Sequence, residues 1–215
     1  MTPSAAVCDM RSNNTVAIHS HALGTLNYIR ASIEAAGACA VPGTAGIAMG
    51  AVGIAAAILA SIPDLAAYWM AIWLIAAAMA SAVGAALIAR QRSRGGLTLY
   101  SGPARKFVLC LAPALLAGAV LTGVLWQAGE SRLVPGAWLL LYGCAVLSAS
   151  MMTSTVIMRL IGAMGALFVL FAVVAFELPL RWHNLILGLG FGMLHLVFGV
   201  LIGRVNRGES AEWQT

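Results

Sequence analysis

The chain has 215 residues, of which 61% are hydrophobic and only 9% charged, against roughly a quarter charged in an ordinary soluble domain. That balance excludes a soluble globular domain and a disordered chain. The net charge of +5 comes from 12 basic residues set against a scarce 7 acidic ones, so it is not the dense basic surface of a nucleic-acid binder.

Residues 1–21 (MTPSAAVCDMRSNNTVAIHSH) are polar and hold no apolar run of signal-peptide type. They read as a disordered N-terminal segment. His19 and His21 lack the neighbouring ligands that a metal site needs. Over 22–40, Leu23, Leu26, Ile29, Ile33 and Ala36 recur at helical spacing. This predicts a short amphipathic helix on the membrane surface, or a docking helix for a cytoplasmic protein.

Six charge-free stretches follow, at 35–63, 65–89, 107–129, 133–158, 160–176 and 182–203. A helix needs about 20 apolar residues to cross the hydrocarbon core, and all but 160–176 exceed that length. Helices are predicted near 44–62, 66–89, 107–126, 136–153, 157–176 and 184–203. The alternating pattern of a β-barrel is missing, and a helix is then the way to satisfy a backbone in lipid. The fold class is therefore all-α: a polytopic six-helix transmembrane bundle over 41–204, with a surface helix before it and a tail over 205–215.

One side of the membrane receives Arg11, Arg30, Arg90, Arg92, Arg94, Arg105, Lys106, Arg159, Arg204 and Arg207; the other receives only Arg132 and Arg181. The positive-inside rule makes both termini cytoplasmic. The loop 90–106, with Arg90, Arg92, Arg94, Arg105 and Lys106, sets this topology or also binds lipid head groups. Tyr68, Trp69, Trp73, Trp126, Trp138 and Trp182 fall near the outer ends and read as an aromatic belt, with Tyr142 one turn deeper. Cys8, Cys39, Cys110 and Cys144 imply no disulfide framework.

Small residues line two helix faces. Gly43, Gly46, Gly50, Gly53 and Ala57 share one face of the first helix, at 100° per residue. Gly188, Gly192, His195 and Gly199 share one face of the last. Such stripes let backbones approach closely, so both point into the bundle or toward a second copy in a homodimer. His195 lies mid-span, where an ionisable group is a functional candidate. Its possible partners by depth are Tyr142, Thr122 and Ser148. It serves as a ligand or relay residue, or simply makes an interhelical hydrogen bond. No span centre holds Asp, Glu, Lys or Arg, and no catalytic set, metal site or cofactor motif stands out. Glu177 and Arg181, four residues apart, read as an interfacial pair.

VPGTAGIAMG at Val41 and VPGAWLLLYG at Val134 align Pro42 with Pro135, Gly43 with Gly136 and Gly50 with Gly143. The offset spans three helices, as in a three-plus-three inverted repeat. Prolines that merely start two helices would give the same match. Pro113 removes a backbone donor inside the third helix.

LNYIRASIEAAGACAVPG (26–43), SGPARKFVLCLAPALLAGAVLT (101–122), LVPGAWLLLYG (133–143) and GFGMLHLVFGVLIGR (190–204) together resemble a family of small bacterial six-helix integral membrane proteins. The family carries no assigned activity. Its usual last motif has Gly where this chain has Met193. The resemblance implies a bacterial inner membrane location and says nothing of chemistry. Two functions are expected from the sequence. The first is a non-catalytic membrane module that binds or senses a ligand or lipid and relays to a cytoplasmic partner. The second is a small transporter or channel for a neutral or lipophilic solute. An electron carrier or enzyme built on His195 ranks below both.

Overall fold

The computed structural model describes residues 41–94 and 102–212, with side chains over 41–91 and 109–208. The surface helix read over 22–40, His19, His21, Cys8 and Cys39 lie outside the described residues. So do the side chains of Arg92, Arg94, Arg105 and Lys106.

Six helices are long and apolar enough to cross a membrane, and the described chain is an all-α bundle. Helix α1 spans Gly43–Ala60. Pro42 precedes it, and the tight turn Pro63–Tyr68 follows; proline cannot extend a helix from its C-terminal side. Helix α2 spans Trp69–Arg94 and α3 spans Gly102–Gln127. Gly129, at φ +75°, closes α3. The Glu130 N–H donates to the Leu125 carbonyl at 2.9 Å and the Gly129 N–H to Trp126 at 3.1 Å. This paired bonding around a left-handed residue is the Schellman stop, and glycine adopts it without a Cβ penalty.

Helix α4 spans Val134–Ser150 with Pro135 in its first turn, and α5 spans Thr155–Glu177. They form the tightest pair in the bundle. Gly143 lies so close to α5 that a Cβ there would meet the Gly165 carbonyl oxygen at 2.9 Å. Phe168, Leu139 and Leu187 are fully buried beside this pair. The last span has three parts: α6 (His183–Leu187), a π-helical turn over Gly188–Leu194, and α7 (His195–Glu212). The sequence reading treats this span as one regular helix ending near 203. The glycines at 188, 190 and 192 hold an α-helix poorly, which suits the wider turn. Helix α7 then runs on into the segment read as a tail.

The glycine stripes of α1 and the last span face each other. A Cβ on Gly50 would sit 2.7 Å from the Gly192 oxygen, one on Gly53 2.6 Å from the Phe191 oxygen, and one on Gly199 2.7 Å from the Ile47 nitrogen. These faces are covered within one chain. Two asparagines add to the grip. Asn184 donates to the Ala60 carbonyl at 2.7 Å and Asn206 to the Val41 carbonyl at 3.1 Å. The two sit roughly 30 Å apart along the last span, about the thickness of the hydrocarbon core.

Helix α1 packs against α2 and the last span, and α4 packs against α5 and α3. Exchanging the first three spans for the last three preserves that order of neighbours. The aligned glycines do not follow the exchange: Gly43 and Gly50 face the last span, whereas Gly136 and Gly143 face α5. Helix α3 is peripheral. Only 6% of its span is buried, against 56% for the last. Over the described residues it leans on α4 and hardly touches α2.

Candidate functional site

Among the described residues, α2 and α3 wall a cavity of about 250 Å³ together with α1, α4 and the π turn. Its lining is mostly apolar, with alanines from α2 and α3 making the room. No charged side chain lines it among the described residues. Pro113 lies within α3 one residue before Ala114, which faces the cavity.

His195 lies at the start of α7, directly above the π turn, and is 5% exposed. Its backbone belongs to the glycine stripe, for its carbonyl faces Gly46. Its ring turns away from that stripe toward α4 and the cavity. The Tyr142 Oη and His195 Nε2 atoms lie 2.7 Å apart, a hydrogen bond. Phe168 and Phe191 hold both rings. Tyr142 meets them edge-on at 4.9 and 5.2 Å, and His195 meets Phe168 at 5.5 Å. The His195 Nδ1 atom is buried with no hydrogen bond among the described residues.

The other partners read for His195 go elsewhere. The Thr122 hydroxyl donates to the Gly118 carbonyl at 2.6 Å and accepts from Trp138 Nε1 at 2.7 Å. It lines the same cavity without touching His195. Ser148 is exposed and donates to the Cys144 carbonyl at 3.0 Å. It follows Tyr142 by six residues, which at 100° per residue turns it to a different face of α4. Depth alone therefore does not identify a partner; rotation about the helix axis must agree as well.

The aromatic belt reading needs a correction. Tyr68, Trp126 and Trp182 are exposed, but Trp73 is only 3% exposed. Trp69 stacks on Trp138 at 5.9 Å with rings nearly parallel. The indoles of Trp69 and Trp73 both donate to Asn184 Oδ1, at 2.6 and 3.3 Å. Trp73 and Trp138 line the cavity, and all three tryptophans turn inward because Asn184 and Thr122 offer acceptors inside the bundle. Asn184 escaped the sequence reading. Its signal was a lone amide just inside an apolar span, where an unpaired amide is costly.

The Glu177–Arg181 pair also fails to form. No ion pair joins them within 4.0 Å, since α5 stops at Glu177 and Leu178–Pro179 continue as extended chain. Arg181 instead lies 6.0 Å from the Trp182 ring, and Arg132 pairs with Glu130 at 3.2 Å. His183 is buried and its Nε2 meets the Leu178 carbonyl at 3.1 Å. Arg90 is exposed near the end of α2. Among the described residues no three His, Cys, Asp or Glu side chains converge on a point that would hold a metal. No family model, no curated protein and no solved structure matches the chain.

Proposed function

We propose that this chain is a non-catalytic membrane module that binds an uncharged, lipophilic small molecule within the bilayer. The observation that supports it is the cavity of about 250 Å³ whose apolar walls enclose a hydrogen-bonded Tyr142–His195 pair. Ligand sites are mostly apolar with a few polar groups that fix orientation, and this volume lies just below their usual range of about 300–1,000 Å³, which suits a small guest. A cavity without charged walls favours a neutral guest, since an unpaired ion there would keep its full desolvation cost. The seam between α2 and α3 faces the hydrocarbon, so the guest enters sideways from the lipid. The proposed setting is a bacterial inner membrane with both termini cytoplasmic, where the basic loop and the N-terminal segment meet a soluble partner.

Native mass spectrometry of the protein released with its surrounding lipid tests this. A reproducible small adduct is expected, lost when Ala114→Phe fills the cavity. Bare protein from several mild extractions overturns the reading. A second reading, carriage of the same guest across the bilayer, is favoured by the exchange-related packing of α1 and α4. Proteoliposomes loaded with the identified guest separate it from binding alone.

A further inference from the structure

Resting on the cavity reading, the make-up of the wall also defines which kind of lipophile it holds. A lipid chain is as apolar as a leucine side chain. Moving an apolar guest from the bilayer into an apolar cavity therefore gains little from burial alone. The affinity must come from contacts that acyl chains do not offer.

Aromatic rings supply such contacts. Trp73 of α2, Trp138 and Tyr142 of α4, Phe191 of the π turn and His195 of α7 all line the cavity. Four of them form a continuous array. Trp73 meets Phe191 at 6.5 Å with the rings tilted by 52°, Phe191 meets Tyr142 at 5.2 Å and 64°, and Tyr142 meets His195 at 5.4 Å and 47°. Fully buried Phe168 backs three of these rings, at 4.9 Å from Tyr142, 5.3 Å from Phe191 and 5.5 Å from His195. The two indoles are held as well, Trp73 by Asn184, and Trp138 by Thr122 and its stack on Trp69. The rings are thus fixed before a guest arrives, which lowers the ordering cost of binding. Trp138, Tyr142 and Phe191 keep part of their surface uncovered. The rest of the wall is mostly short side chains, with alanines of α2 and α3 and Gly118 leaving room for a flat guest.

We propose that the cavity selects flat aromatic ring compounds over saturated lipophiles of the same carbon skeleton. The attraction is electrostatic. A ring is negative on its face and positive at its edge, so rings favour one another in edge-on or offset contact beyond the area they bury. A saturated ring has no such face, and neither has an acyl chain. The preference does not depend on any hydroxyl of the wall, since the guest's ring needs no hydrogen bond.

The test uses the full chain in nanodiscs and two radiolabelled probes without polar atoms, naphthalene and decalin. Equilibrium dialysis counts the probe bound in excess of protein-free nanodiscs. Affinity is referred to the mole fraction of probe in the bilayer, so that partitioning into lipid cancels. Naphthalene is expected to bind about fivefold more tightly than decalin, in line with one or two ring pairs. Phe191→Leu keeps apolar bulk and removes one ring, and should bring the ratio down to about twofold. Equal binding of the two probes, or tighter binding of decalin, in the unaltered protein overturns the inference. That result, if saturable and abolished by Ala114→Phe, leaves the cavity reading standing. Absence of saturable binding by both probes overturns the inference as well, and a native adduct lost in Ala114→Phe then still upholds the cavity reading. The ratio in the unaltered chain needs no variant, so misfolding of Phe191→Leu does not blur the outcome.

Discussion

His195 has two faces with different duties. Its backbone belongs to the close helix crossing, where its carbonyl approaches Gly46. Its ring anchors Tyr142 in the cavity wall. Replacing it with Phe keeps an aromatic ring among Phe168 and Phe191 and removes the hydrogen-bond partner of the Tyr142 hydroxyl. That hydroxyl is then left unpaired, and His195→Phe is expected to cost about 1–3 kcal/mol of stability. Reversible unfolding of the two proteins in the same mild detergent measures this. Asn184 is a second consequential residue. It satisfies two indole N–H groups and the Ala60 carbonyl at once. Asn184→Leu leaves all three unpaired, each worth about 1 kcal/mol or more. The expected result is a loss of about 3 kcal/mol or more in reversible unfolding and a shifted tryptophan emission as these indoles loosen.

Among the elements, the crossing of α1 over the last span is limited by backbone atoms rather than by side chains. A methyl group on Gly50 would press on the Gly192 carbonyl and the Leu196 amide, neither of which can swing aside. Lipid offers no hydrophobic force to hold the two helices together, so their contact depends on close packing. Gly50→Val is therefore expected to cost about 2 kcal/mol or more, in the range of overpacked cores. Gly123→Ala on α3 is the matched control. Nothing lies within 4 Å of a Cβ built there, and the added helix propensity makes it neutral to slightly stabilising. Steric-trap or detergent-unfolding measurements on the two variants distinguish a packing interface from a general intolerance of larger residues. The regular 100° rule locates the glycine stripe but misses the π turn, because a run such as Gly188–Gly192 is compatible with either winding until its neighbours are in place.

For the molecule as a whole, the uneven packing matters more than any single contact. Helix α1, α4, α5 and the last span form the buried part, while α3 hangs on α4. In the proposed reading, the seam so left between α2 and α3 is where a guest enters the cavity from lipid. The proposed orientation has a direct test. With the 4 native cysteines changed to alanine, Ala128→Cys in the turn after α3 and Gly208→Cys near the end of α7 report opposite sides. A membrane-impermeant maleimide added to intact cells is expected to label position 128 and spare 208. The reverse pattern would invert the topology and move the proposed partner surface to the other side.

Six spans and their approximate limits were readable from charge spacing alone, because hydrocarbon imposes one length and one polarity on every crossing helix. The glycine stripes were readable as faces, since rotation per residue is nearly constant along an α-helix. Depth along a span was readable too, and it brought Tyr142, Thr122 and Ser148 forward as partners of His195. Which of them meets the ring depends on how α3 and α4 are rotated against α7, and that is a property of packed neighbours. The same holds for the inward tryptophans. An indole near a helix end suits the membrane interface equally well, until Asn184 and Thr122 arrive from distant parts of the chain to accept its proton. Chemistry that needs atoms from several helices within 3 Å of one another emerges when those helices are assembled, and the cavity with its Tyr142–His195 pair is of that kind.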